Sequence, residues 1–484
     1  MKQLFTRRLR GVAIAATSAA ILVSASACLN SLQDSLLEQQ QPQVILPVSV
    51  SNPTGALGLY TGALGQFRSA LNGHNNNQET LWNWEGLMTD EFRSGDTFLQ
   101  RNNADQRITD PGDIQNLSVY NYLQQARGFA RSAINALQQF SPTSTSDIGE
   151  MYMEMGFMEM SLAQGYCANI PLGETVGGVP QYTVPITDPL GVFRVAGSRL
   201  DTALTFLTAS NAQTVYVKNA TLITKARIMV DTGNFTGAAA LVASIPVSYQ
   251  YLITYSLATQ DNEWWTMAIS TKRYSVGDSV NINGDNTPGN RIANAIPFVN
   301  SNDPRVVVKD TGSKSFDSIT QWYVFKNFGR DDPIALVTGT DAQLIIAEAQ
   351  LNGNSNTANG GNAASWAQMT ATLNALRTAP PKLGIYQPAA MPVLVAPATA
   401  AAARALFFRE KAFWQFARGE RFEDLRRLQR QYGLTQDLVW PTGNFEKGGS
   451  FGTNVNFPVP VNAGNGSETA NPNYDALKCI TTTP

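Results

Sequence analysis

Eight tryptophans, set among very few of the side chains that break bonds, define the chemistry open to this chain. Trp82 and Trp84 alternate, strand-like, through a polar stretch, and Trp264 and Trp265 sit side by side in the polar segment Asp-Asn-Glu-Trp-Trp-Thr-Met-Ala. Aromatic rings stack on the apolar faces of sugars or clamp peptide side chains, while Asn, Asp and Arg hydrogen-bond the polar edges. These four tryptophans are therefore the candidate ligand-binding residues, and theirs is the chemistry of holding rather than of reacting. Neighbours on a strand face opposite ways, so at most one of Trp264 and Trp265 would meet a ligand there. Filling gaps in the core is the competing use of each ring.

Reaction chemistry finds little to work with. A Ser-His-Asp arrangement would rest on His74, the one histidine, which lies in an Asn-rich loop with no nucleophile motif beside it. One histidine and three cysteines leave few ligands for zinc, haem or an iron–sulfur cluster. Asp90, Glu91, Asp96, Asp110 and Asp113 could offer oxygens to calcium, but they lack the spacing of an EF-hand. The glycines between 55 and 65 match neither a dinucleotide fingerprint nor a phosphate loop and are expected to permit close helix packing. Glu420, Glu423 and Asp424 lie among Arg418, Arg421, Arg426, Arg427 and Arg430. Glu423 and Arg427 have the i,i+4 spacing of a solvated helical ion pair, so this run is expected to be a charged face with some buried arginine contacts. A glycoside hydrolase needs two carboxylates about 5–9.5 Å apart across a cleft, and no spacing in the sequence singles out such a pair. No catalytic residue, metal ligand or cofactor is assigned, and the expectation is a protein that is not an enzyme.

The elements that must position a binding site follow from pattern and composition. With 484 residues, 43% of them hydrophobic and only 15% charged, the chain can bury a large core, and 35 basic against 37 acidic residues give no excess to attract nucleic acid. Residues 1–27 read as a signal peptide: Lys2, Arg7, Arg8 and Arg10 form a basic start, and an apolar run ends in Ala25-Ser26-Ala27-Cys28. Small residues before a cysteine resemble a lipobox, so Cys28 is the expected lipidation site. Leu29 lacks the acidic character that retains lipoproteins at the inner membrane, which favours the outer membrane. An ordinary secretory signal cut after Ala27 is the alternative. Residues 28–53 then form a Gln-rich flexible tether, and 54–484 a single domain. Cys167 and Cys479 are a disulfide candidate in an oxidising compartment.

Helical periodicity dominates from residue 54, with helices expected near 56–71, 115–140, 147–165, 196–210 and 403–431. Leu222 to Pro246 reads as two short helices joined at Thr232-Gly233-Asn234, and 341–351 followed by 366–377 repeats the arrangement. This predicts a mostly α fold of tetratricopeptide-like helical pairs with irregular loop and short-β inserts. The inserts, about 73–112 and 260–335, carry turn residues and β-prone runs such as Trp322-Tyr323-Val324-Phe325, and are the places to look for a site.

Several segments together carry a family resemblance. The run 404–433 is similar to the signature of SusD/RagB-like outer-membrane nutrient-binding lipoproteins, with Arg409, Glu410, Gly419, Arg421, Asp424, Leu425 and Arg426 matching and Glu420 in place of the usual histidine. Residues 338–351 resemble that family's Leu-Ile-x-Ala-Glu-Ala helix, Asn302-Asp303-Pro304-Arg305 its Asp-Pro-Arg turn, and Asn456 to Pro460 with Glu468 and Asn471-Pro472-Asn473 its ending. The resemblance implies a SusD-like α-solenoid scaffold. It also implies a surface lipoprotein, held in the outer membrane by its lipid anchor, that binds glycan or oligosaccharide and delivers it to a SusC-like TonB-dependent transporter. The other readings left open are an oligopeptide-binding importer subunit and a lipid-anchored helical-repeat scaffold for outer-membrane assembly. The resemblance transfers no binding residue.

Overall fold

Asn52 opens the first helix. Its side-chain oxygen accepts from the Gly55 N–H at 2.9 Å, and Pro53 takes the first helical position, where a missing N–H costs nothing. The computed structural model describes residues 50–73, 79–176, 179–181, 183, 185–279, 291–292 and 294–460. The signal segment, Cys28, most of the tether, His74 and Cys479 lie outside these residues. From Ser51 onward the described residues form one compact unit.

The described helices are α1 (Pro53–Asn72), α2 (Leu81–Met88), α3 (Leu99–Gln106), α4 (Ile114–Phe140), α5 (Thr145–Gly165), α6 (Pro189–Phe206), α7 (Ala212–Asp231), α8 (Phe235–Val242), α9 (Gly339–Leu351), α10 (Ala363–Thr378), α11 (Ala400–Trp414) and α12 (Glu420–Arg430). They pack as neighbours: α4 against α1 and α5, α5 against α6, α7 against α8, and α9 against α8 and α10. The α5–α6 crossing is close because α5 carries glycine where they meet. A Cβ on Gly149 or Gly156 would lie 2.7 or 2.9 Å from Leu207 or Leu200. The remainder of α5 is methionine-rich and buried, Met151, Met153, Met155, Met158 and Met160 filling the interior from one helix. Between α7 and α8 the chain turns through Gly233 at φ +82°, and Asn234 caps the second helix by accepting from the Gly237 N–H. The helical pairs expected over 222–246 and 341–377 are thus present, and the molecule is mostly α. Among the described residues no helix is long and apolar enough to cross a membrane.

Short strands join the two inserts. β1 (Phe92–Ser94), from the first insert, pairs antiparallel with β3 (Tyr274–Val276) from the second, Phe92 opposite Val276 and Ser94 opposite Tyr274. β2 (Gln250–Ile253) pairs with β6 (Ile334–Thr338) and closes the base of the second insert. β4 (Val308–Lys314) and β5 (Gln321–Phe325) form a hairpin whose register shifts between Asp310 and Lys314.

Three expectations are corrected here. The segment expected as one helix over 403–431 breaks into α11 and α12 at a turn where Ala417 and Gly419 take φ +65° and +76°. Gly419 has no alternative at that point: a Cβ would press into the Glu85 carboxylate and lie 2.7 Å from Trp82 Cδ1. The stretch around Trp82 and Trp84 is helix α2, not a strand; all eight of its residues are buried, so it has no polar face to reveal a helical period. The charged run in α12 is interior rather than solvated. Arg427 bonds Glu348 and Asp424, Arg421 bonds Asp90 at 2.7 Å, and Glu423 bonds Arg426 and Arg430.

Candidate functional site

Pairing β1 with β3 brings residues just beyond each strand to one edge of the molecule, and the tip of the β4–β5 hairpin lies against them. Phe316 donates its N–H to the Lys272 carbonyl at 3.0 Å, Asp317 to Gly95 at 2.9 Å, and Gly95 to Arg273 at 2.8 Å. Gly95 permits this approach, since a Cβ there would fall 2.6 Å from Ser315 Oγ. The tip is further fixed by Asp317, whose Oδ1 accepts from the Ile319 and Thr320 N–H groups, both at 2.9 Å. Its Oδ2 accepts from the Thr320 hydroxyl at 2.7 Å and faces Lys447 Nζ at 2.9 Å. A tip held by this many bonds is ordered before any ligand arrives.

This edge is an exposed ledge of rings and cations. Phe98 is 40% exposed, and Phe316 and Ile319 are each 50% exposed. The Arg273 guanidinium lies 4.2 Å from the Phe316 ring centre and 5.1 Å from that of Phe98. Lys272 Nζ lies 4.7 Å from the ring centre of partly exposed Trp322, whose indole N–H donates to the Ala268 carbonyl at 2.9 Å. Asp96 accepts from Arg273 at 2.6 Å and from Arg101. Burial alone would push the Asp96 carboxyl up, but Arg273 and Arg101 outweigh it and hold it below the usual carboxylate range. Asp317 is likewise held low, Lys447 and the Thr320 hydroxyl overcoming its burial.

The tryptophans singled out in the sequence sit elsewhere. Trp82, Trp84 and Trp264 are core residues. Trp264 stacks on Phe92 at 4.1 Å and donates its indole N–H to the Ala417 carbonyl at 2.8 Å, and Trp84 packs beside Phe457. Their faces are already taken by protein, so the expectation that these three bind ligand is corrected. Trp265 alone of the four is partly exposed, with Arg330 5.3 Å from its ring centre and Arg330 paired to Asp261. The residues missed are Phe98, Lys272, Arg273, Phe316 and Trp322. Only the β-prone run containing Trp322 hinted at them, because the ledge is assembled by tertiary pairing from segments more than 170 residues apart in sequence.

Two small cavities elsewhere each have about 20 Å³, room for a water molecule. One lies under Phe325 and Trp414; the other is lined by the α12 charges with Asp231, Asp341 and Lys411. Cys167 is buried and disulfide-bonded; its expected partner, Cys479, lies outside the described residues.

No family model matches the sequence, and no curated protein matches it. Solved structures do. A SusD-like carbohydrate-binding protein from Bacteroides fragilis superposes with a TM-score of 0.61 at 14% identity, covering 87% of this chain and 99% of its own. A SusD homologue from Bacteroides thetaiotaomicron gives 0.59 at 14% identity, covering 88% and 96%. A putative sugar-binding protein from Bacteroides vulgatus gives 0.56 at 12% identity, covering 88% and 98%. The chain therefore has the SusD-like fold, in agreement with the resemblance carried by its motifs.

Proposed function

We propose that this protein captures glycan or oligosaccharide on the ledge formed by Phe98, Phe316 and Trp322 and passes it on without breaking a bond. The observation that carries this reading is the exposure of large rings, framed by hydrogen-bonding cations, where two inserts meet on a SusD-like scaffold. Structural neighbours described as carbohydrate- or sugar-binding support the ligand class. Hydrolysis would need a carboxyl kept protonated opposite a second carboxylate. The ledge offers Asp96 and Asp317, both held ionised by the cations that grip them, which favours binding over catalysis.

The lipobox-like segment ending at Cys28 supports a lipid-anchored place at the outer membrane, and the family resemblance of the motifs adds a cell-surface face. In that setting the recipient would be a SusC-like TonB-dependent transporter, and capture at a rigid ledge followed by release to the channel would be the protein's whole task. Calorimetric titration against a saccharide panel tests the binding. Trp322→Ala and Phe316→Ala should each weaken the bound saccharide about tenfold, one ring contact being worth roughly 1.4 kcal/mol. Tight binding of peptides with none of saccharides would replace the reading with an oligopeptide importer. Co-purification of a TonB-dependent receptor from membranes would support the delivery step, and barrel-assembly partners in its place would support the scaffold reading.

A further inference from the structure

The ring faces of the ledge are not bare. Lys272 lies over Trp322 and Arg273 over Phe316, so a saccharide that stacks on those faces has to displace the cations. An uncharged sugar would displace a cation from a ring and return nothing to it. A sugar bearing a carboxylate or sulfate would draw the Lys272 ammonium onto its own anionic group and uncover the Trp322 ring in the same motion, while Arg273 stays paired with Asp96.

The local charge has the matching sign. The hairpin from 308 to 326 and the ledge residues beside it hold Lys309, Lys314, Lys326, Lys272, Arg273 and Lys447 against Asp310, Asp317 and Asp96, on a chain whose overall charge is −2. Lys447 is taken by Asp317, whereas Lys272 is exposed and pairs with no carboxylate among the described residues. Lys272 also adopts φ +57°, a left-handed conformation that glycine reaches without steric conflict and lysine does not. Its ammonium lies over Trp322 while its carbonyl holds the hairpin tip.

We infer that the ledge selects anionic saccharides, with Lys272 as the residue that reads the charge. This rests on the glycan-binding reading above and narrows it to a ligand class. Carboxylate and sulfate share the recognising chemistry, and paired probes separate them.

The test is titration of the full chain with oligogalacturonate and its methyl ester, and with a sulfated galactan fragment and its desulfated twin. At least one anionic probe should bind about tenfold more tightly than its neutral twin, the difference expected of one charge-assisted hydrogen bond. That preference should shrink as salt is raised and disappear in Lys272→Gln, whose folding is checked by circular dichroism. Equal binding of both twins in each pair, still lost in Trp322→Ala, would overturn the inference and leave glycan binding standing. Preference retained in Lys272→Gln would overturn the role of Lys272. Binding of no saccharide would remove the inference together with the reading it rests on.

Discussion

Trp264 fills the space between Phe92 and Tyr274 and satisfies the Ala417 carbonyl, so its loss leaves both a cavity and an unpaired acceptor. Trp264→Ala is expected to destabilise the fold by about 3–5 kcal/mol, read by urea unfolding, whereas Trp322→Ala should lower saccharide affinity with a much smaller change in stability. The sequence presents these residues alike, as aromatics in polar surroundings. Their difference arises only when β1 pairs with β3, which places Trp264 inside and leaves Trp322 at the edge. Lys272 supplies a second test at this scale. Replacing it by glycine should raise stability by about 1 kcal/mol, since the left-handed backbone then carries no strain. The same variant should lose anion preference. A Lys272→Gly protein no more stable than the parent in urea would show that the turn holds no such strain.

At the scale of elements, α12 explains why the family run was legible. Arg421 reaches Asp90 on the loop after α2, Arg427 reaches Glu348 on α9, and Arg305 reaches Glu410 on α11 at 2.7 Å. Buried pairs of this kind need particular residues at particular positions, because an uncompensated charge in the interior is costly. They therefore leave a readable pattern, and the motif residues turn out to be scaffold. α2 was illegible for the opposite reason: burial on every side erased its period.

The same interior makes stability depend on pH. Burial and the neighbouring Asp90 push the Glu91 carboxyl up to about 8, and burial with Glu423 pushes Asp231 up to about 7. Such groups keep their protons to higher pH in the folded chain than in the unfolded one. Their contribution is complete below about pH 4 and is lost as pH rises through about 7 and 8. Asp341 and Glu348, held low by Arg418 and Arg427 despite their burial, act in the other direction and contribute only above the ordinary carboxylate range. The urea midpoint is therefore expected to peak in the mildly acidic range and to fall from about pH 5 to about pH 8. A midpoint that is flat or rising over that interval would contradict the burial of these carboxyls.

For the whole molecule, the helical pairs form a support, and the two inserts, zipped together through β1 and β3, form the edge proposed to bind. The ledge residues Phe98, Lys272, Arg273, Phe316 and Trp322 all lie within the inserts expected over 73–112 and 260–335. The individual residues stayed hidden because no local pattern encodes a surface built from two distant stretches of chain. Capture at the ledge fixes where a saccharide must sit. A crystal structure of the protein with a bound oligosaccharide should show a sugar ring against Trp322 or Phe316, with Lys272 turned from the indole toward the ligand. A sugar bound away from that edge, with Lys272 still resting on Trp322, would contradict it.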